Sequence, residues 1–178
     1  IHNILAPNYK RFDEVPSYTI NIRNACACAQ VGEYMWIAGD GIVVIDAISH
    51  TKVKEITEYS YDDSGKNPSA QLNSIHVLAY AEGYIWIWQG KTVHVWQPET
   101  YTKVREITVD GFNSPKTCQV FGADGNVWLS TDTGAFIVVD VQTFEVKQIV
   151  TGHSAAVYHV EKVGPLAWSC SWDTTICW

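Results

Sequence analysis

Gly32-Glu33-Tyr34-Met35-Trp36 reads as a turn running into a tryptophan-centred strand. The chain writes the same phrase again as Glu82-Gly83-Tyr84-Ile85-Trp86, Asp124-Gly125-Asn126-Val127-Trp128 and Gly164-Pro165-Leu166-Ala167-Trp168. The four tryptophans are 50, 42 and 40 residues apart. A repeat of about 40–50 residues made of short strands is the pattern of a β-propeller. A second repeat supports the first, since Thr51-Lys-Val-Lys-Glu-Ile56 returns as Thr102-Lys-Val-Arg-Glu-Ile107.

Working outward, each phrase sits inside a four-strand unit. Small apolar inner strands are read at Ala25–Val31, Ile75–Tyr80, Thr117–Phe121 and Ala156–Val160. Anchor strands follow at Tyr34–Ala38, Tyr84–Trp88, Asn126–Ser130 and Leu166–Ser171. Apolar third strands run Ile42–Ile45, Thr92–Trp96, Phe136–Val139 and Thr174–Trp178. Charged outer strands are Thr51–Ile56, Thr102–Ile107 and Phe144–Ile149. The turns between them are rich in Gly, Asp and Pro, and no segment carries a helical period, so the chain is all-β. The gradient from apolar to charged fits a blade with its first strand at a central channel and its last facing solvent, where charge blunts an open edge.

The units approximate residues 18–56, 70–107, 115–149 and 153–178, after an extended N-terminal arm at 1–17. Tyr18-Thr-Ile-Asn-Ile22 alternates apolar and polar, which predicts an outer strand without its own blade. The fourth unit lacks an outer strand, so the two ends are expected to complete one blade together.

Composition limits function. In 178 residues, hydrophobic side chains make up 47% and charged ones 17%, which specifies a folded globular chain. A net charge of −7 with scattered basic residues excludes a nucleic-acid binder that works through clustered Lys and Arg. No apolar run is long enough for membrane insertion as a helix. Five cysteines without framework spacing are expected to be reduced thiols in a cytoplasmic protein.

The fourth unit carries the most specific letters: Gly152-His153, an apolar strand, then Ser169-Cys-Ser-Trp-Asp-Thr-Thr-Ile176. This resembles the WD-repeat (tryptophan–aspartate repeat) family of β-propellers, and Thr92-Val-His-Val-Trp96-Gln97 resembles that family's closing strand. The resemblance covers residues 18–178 with degenerate motifs: one repeat has Gly-His, none ends in an intact Trp-Asp, and Ile45-Asp46 and Val139-Asp140 put an aliphatic residue in the tryptophan place. It implies a β-propeller built of four-stranded antiparallel blades. About four are present here, against the four to eight, about seven in this family, that close a ring. The chain is therefore expected to be part of a larger propeller rather than a closed four-bladed ring. The resemblance also implies a structural hydrogen-bond chain through His153, Ser169 or Ser171, and Asp173.

Other chemistry is weaker. Cys26 and Cys28 share a strand face, and His76, Cys118 and His159 sit on equivalent inner strands, but metal-ligand spacing is missing and small apolar filling of a channel wall is the better reading. His153, Asp173 and a serine lack a strained elbow and an oxyanion loop, so no catalytic residue, cofactor or metal is expected. Asp124-Gly-Asn and Asp132-Thr-Gly lack the acidic spacing of a calcium loop. The anchor tryptophans read as core, each burying about 150–250 Å².

Two insertions stand apart: Thr57–Ser74, and Asp110–Pro115. Tyr59, Tyr61, Asp62, Asp63, Phe112 and Trp172 form a candidate partner-binding face suited to a basic or extended peptide. The function expected is a non-catalytic protein–protein interaction scaffold. By resemblance, it is a segment of a larger signalling, trafficking or cytoskeletal/ciliary regulator. Its partners are other proteins, peptides or the rest of the same propeller. A structural subunit of an assembly is the alternative. An enzyme at the channel is the third reading, with His76 and His159 its only obvious candidates.

Overall fold

The computed structural model describes residues 19–57, 75–112 and 119–178. Fifteen strands and no helix occur among them. They form three four-stranded antiparallel sheets and one three-stranded sheet, each with its strands in chain order. Sheet 1 holds β1 (Ala27–Val31), β2 (Tyr34–Ala38), β3 (Ile42–Asp46) and β4 (Lys52–Ile56). Sheet 2 holds β5 (Ile75–Ala81), β6 (Tyr84–Gln89), β7 (Thr92–Gln97) and β8 (Thr102–Thr108). Sheet 3 holds β9 (Val120–Ala123), β10 (Asn126–Ser130), β11 (Ala135–Asp140) and β12 (Val146–Thr151). Sheet 4 holds β13 (Val157–Val163), β14 (Leu166–Ser171) and β15 (Ile176–Cys177).

The sheets stack face to face like blades. Their first strands adjoin in series, β1 to β5, β5 to β9 and β9 to β13. Strand β3 is apolar at four successive positions, three of them buried. Ile42 and Val44 join Trp36 and Ala38 against Ile85, Ile87 and Trp96 of sheet 2. On the other side of sheet 2, Trp86, Trp88 and Val95 pack on Val127, Leu129, Ile137 and Val139 of sheet 3. The third seam is thinner, with Phe136 buried against Val157 and Val160 and with Trp128 half-buried beside them.

One turn recurs between the third and outer strands. His50, Tyr101 and Phe144 occupy its last position with φ of 57°, 54° and 57°. Left-handed backbone is uncommon for such bulky residues. In two copies an aspartate caps the turn: Asp46 Oδ1 accepts the Ile48 and Ser49 N–H groups, and Asp140 Oδ1 those of Gln142 and Thr143. Those bonds hold both carboxyls below the ordinary carboxylate range. In the second and third copies the strained residue supplies packing. Tyr101 lies 5.7 Å from Trp36, and Phe144 lies 5.2 Å from Tyr84, between ring centroids.

Several expectations need correction. Residues 19–22 form no strand. They lie over sheet 1, where a Cβ on Gly39 would meet Arg23 O at 2.5 Å and Ile22 Cγ2 at 2.9 Å. Ile20 and Ile22 border a cavity with Val43 and Ile45 there. Of the two aliphatic residues, Ile22 is half-buried while Ile20 stays 46% exposed, and residues 19–22 pair with no described strand, so they do not supply one to sheet 4. Strand β12 begins at Val146 because Phe144 belongs to the turn. Strand β9 begins at Val120, and β15 is only Ile176–Cys177.

The anchor tryptophans are not uniformly core. Trp36 and Trp86 are 1% and 0% exposed, Trp128 is half-buried, and Trp168 is 40% exposed. Each of the first three turns toward the following sheet. Trp168 turns the same way, and no described sheet covers it.

Candidate functional site

The fourth sheet gathers the polar residues read from the sequence. His153 Nδ1 lies 3.0 Å from Asp173 Oδ2, and His153 Nε2 lies 2.9 Å from Ser169 Oγ. A carboxylate only accepts, so the proton of a neutral His153 belongs on Nδ1 and Ser169 donates to Nε2. Asp173 also accepts the Ser154 N–H at 2.9 Å, the Thr175 N–H at 2.9 Å and the Thr175 hydroxyl at 2.6 Å. The Thr175 hydroxyl first, then the Ser154 and Thr175 amides and His153, hold the Asp173 carboxyl far below its usual range. Ser171 is turned elsewhere: its hydroxyl donates to Ala155 O at 2.9 Å and accepts the Asp173 N–H at 3.1 Å. Thr175 is the member that sequence reasoning passed over. Its signal was its place two residues after the aspartate, where a hydroxyl can close a turn.

The Ser169–His153–Asp173 line has the distances of a nucleophile, base and orienting acid. Its setting does not suit catalysis. The His153 side chain is fully buried, and Ser169 is 6% exposed. An attacking hydroxyl needs access to a carbonyl, and here the serine is enclosed by its own sheet. The chain instead ties the incoming turn at His153 to the hairpin at Asp173. The same turn is fixed to sheet 3, since the His153 N–H donates to Gly134 O and the Val157 N–H to Thr131 O.

The candidate partner face is only partly described. Tyr59, Tyr61, Asp62 and Asp63 lie outside the described residues. Phe112 packs against the core between sheets 2 and 3. Trp172 is 69% exposed, its ring centroid 5.8 Å from that of Tyr158.

Among the cysteines and histidines weighed for metal, Cys118 and the His76 side chain lie outside the described residues. Cys26 donates its thiol to Ile75 O at 3.0 Å, linking the first two sheets, and burial pushes that thiol up. His159 is 2.9 Å from the Gln119 amide nitrogen, while Gln119 Oε1 accepts the Val160 N–H. Gln119 thus staples sheet 3 to the bulged strand β13. No group of three metal-ligating side chains occurs among the described residues, where Cys26, Cys28, Cys170 and Cys177 are free thiols. No helix among them is long and apolar enough to cross a membrane.

The outward face of sheet 4 departs from a sealed core. Strand pairing sets Glu161 opposite Trp168, Val163 opposite Leu166, and Cys170 opposite Ile176 on one face. Val163, Leu166 and Ile176 are 57%, 44% and 60% exposed. Trp168 stacks on Trp178 with centroids 5.2 Å apart and planes 25° apart.

No protein-family model matches the sequence, and no curated protein matches it. Solved structures do share the fold. The computationally designed Ika4 protein superposes with a TM-score of 0.67 at 16% identity, over 90% of this chain and 93% of that one. The computationally designed Ika8 protein gives 0.63 at 16% identity, over 85% of this chain but only 44% of that one. The chain is thus about the length of one designed β protein and spans under half of another.

Proposed function

We propose that the chain is a WD-repeat-like propeller segment acting as a non-catalytic protein–protein interaction scaffold in a cytoplasmic regulator. The observation that carries this reading is the uncovered face around Trp168. Trp36, Trp86 and Trp128 each pack toward a following sheet, so an equivalent tryptophan at the end of the stack marks a surface made to be covered. An exposed apolar patch of this kind on a folded chain denotes an interaction site. The enclosed Ser169 and His153 support a structural role for the only serine–histidine–aspartate line among the described residues.

The test places a photo-crosslinking side chain at Leu166 in the natural full-length protein. Crosslinks to its own further sheets, or to another protein, support the reading, and they separate the remainder of a propeller from a partner. Absence of any crosslink, with Leu166 freely hydrated, sinks it. Sedimentation of the 178-residue chain tests the structural-subunit alternative. A monomer fits the scaffold, and an obligate oligomer fits the subunit.

A further inference from the structure

The three seams between sheets differ at one equivalent position. Tyr80, Gly122 and Lys162 stand opposite Ile85, Val127 and Ala167, each on the face turned to the preceding sheet. In the second seam the space above Gly122 is filled by Glu82, whose Cγ would stand 2.9 Å from an added Cβ. The Glu82 carboxylate accepts the Gly125 N–H at 3.2 Å. In the third seam an ammonium occupies the place: Lys162 Nζ lies 2.6 Å and 2.7 Å from the two Asp124 carboxylate oxygens.

The first seam does neither. The turn there reads Gly32-Glu33 where the others read Glu82-Gly83 and Asp124-Gly125, so no side chain projects from the first turn position to fill the gap. A cavity of about 480 Å³ remains, lined by Tyr34, Trp36, Tyr80, Tyr101, Glu33 and Glu99 among others. Trp36 is buried at its base against Tyr101. Tyr34 and Tyr80 form open walls, 38% and 45% exposed. None of the described residues that line it is a Lys or Arg.

We propose that this cavity binds an N-methylated ammonium group, held by cation–π attraction to Tyr34, Tyr80 and Tyr101 above the buried Trp36 and by the carboxylates of Glu33 and Glu99. Ring faces carry negative charge and attract a cation within about 6 Å, most strongly when it is weakly hydrated. Methyl groups strip hydration and fill apolar volume, so a trimethylammonium group suits an aromatic cavity better than a bare ammonium. In the third seam the equivalent place holds a cation beside a carboxylate, Lys162 on Asp124, from within the chain. Burial, with Tyr34 nearby, pushes the Tyr101 hydroxyl up, which keeps that ring neutral. The inference does not depend on the scaffold reading, because both sheets of the cavity lie within this chain.

Calorimetric titration of the full chain at constant ionic strength tests it with choline and its neutral isostere 3,3-dimethylbutanol. Choline is expected to saturate the protein and to bind at least about tenfold tighter than the alcohol, the size of one desolvated cation–π contact. Equal affinity of the two, or no saturation by choline, overturns the proposal. Tyr80→Ala should weaken choline binding about tenfold without moving the melting temperature, and Tyr80→Phe should retain it. Glu33→Gln, on an exposed turn, gives a second variant that folds, and unchanged affinity in both Tyr80→Ala and Glu33→Gln also overturns the site. A short peptide with one trimethyl-lysine, compared with its unmethylated form, identifies the source. Tighter binding than choline assigns the group to a protein partner, and equal binding assigns it to a free amine.

Discussion

Ser169 Oγ and His153 Nε2 lie 2.9 Å apart in a part of the fourth sheet closed to solvent, and each satisfies a polar atom the other would otherwise leave buried. Removing one partner strands the other. Ser169→Ala is expected to lower stability by about 1–3 kcal/mol, the cost of an orphaned buried group. Urea denaturation measures it. Ser171→Ala, whose hydroxyl serves Ala155 and Asp173 instead, should leave the histidine bond intact and give a different, separable loss.

Acid should loosen the same corner. The folded Asp173 carboxyl is depressed below its ordinary value of 3.8. A depressed acid stabilises the fold above its unfolded pKa, and that contribution drains away as pH falls through the folded value. Asp46 and Asp140 carry depressions of the same sign in the turns they cap. Melting temperature should therefore hold near neutrality and fall below about pH 4. Asp173→Asn should be less stable than the parent at pH 7 and converge on it in acid. A constant gap across the range would show that the carboxylate charge is irrelevant.

Tryptophans that look alike in sequence should behave differently. Trp86 is fully enclosed between sheets 2 and 3, and Trp86→Ala is expected to cost about 3–5 kcal/mol. Trp168→Ala removes a side chain that is 40% exposed, and about 1 kcal/mol or less is expected. Trp128, half-buried in the thin third seam, should fall between them. Denaturation midpoints of the three variants give the order directly. Equal losses would mean that the fourth face is covered in solution.

The anchor strands were legible because their signal is local. Tyr34–Ala38, Asn126–Ser130 and Leu166–Ser171 run between the residues expected, since a turn precedes each and its tryptophan stands at a fixed place. Over residues 19–22 the strand expectation fails because alternation describes any segment with one face on apolar surface, and Ile22 lies against Gly39 without pairing as a strand. Phe144 reads as the start of the third repeat's outer strand, yet its ring packs on Tyr84 from a left-handed turn. The exposure of Trp168 could not be read from its own repeat, because burial there depends on whether another sheet follows. The first-seam cavity was hidden for a similar reason. It arises from the order of Gly32 and Glu33 together with Tyr80, residues that meet only after two sheets stack.

The contact between sheets 3 and 4 yields a sharper test of the stack. Gly134 has φ of 89°, and a Cβ built there would lie 2.3 Å from His153 O and 2.8 Å from Ala155 O. Both are backbone atoms of the segment leading into sheet 4, so neither can swing aside as a side chain would. Gly134→Ala must either shift that segment or lose the bond from the His153 N–H to Gly134 O. A loss of about 3 kcal/mol or more is expected, from backbone strain and overpacking together. Gly32 is the control, with φ of 57° and nothing within 4 Å of its built Cβ. Gly32→Ala should cost only about 1–2 kcal/mol, the strain of left-handed backbone alone. Hydrogen exchange on Gly134→Ala should show the loss in sheet 4 first, while sheets 1 and 2 keep their protection. Uniform loss across all sheets would mean that the stack unfolds as one unit.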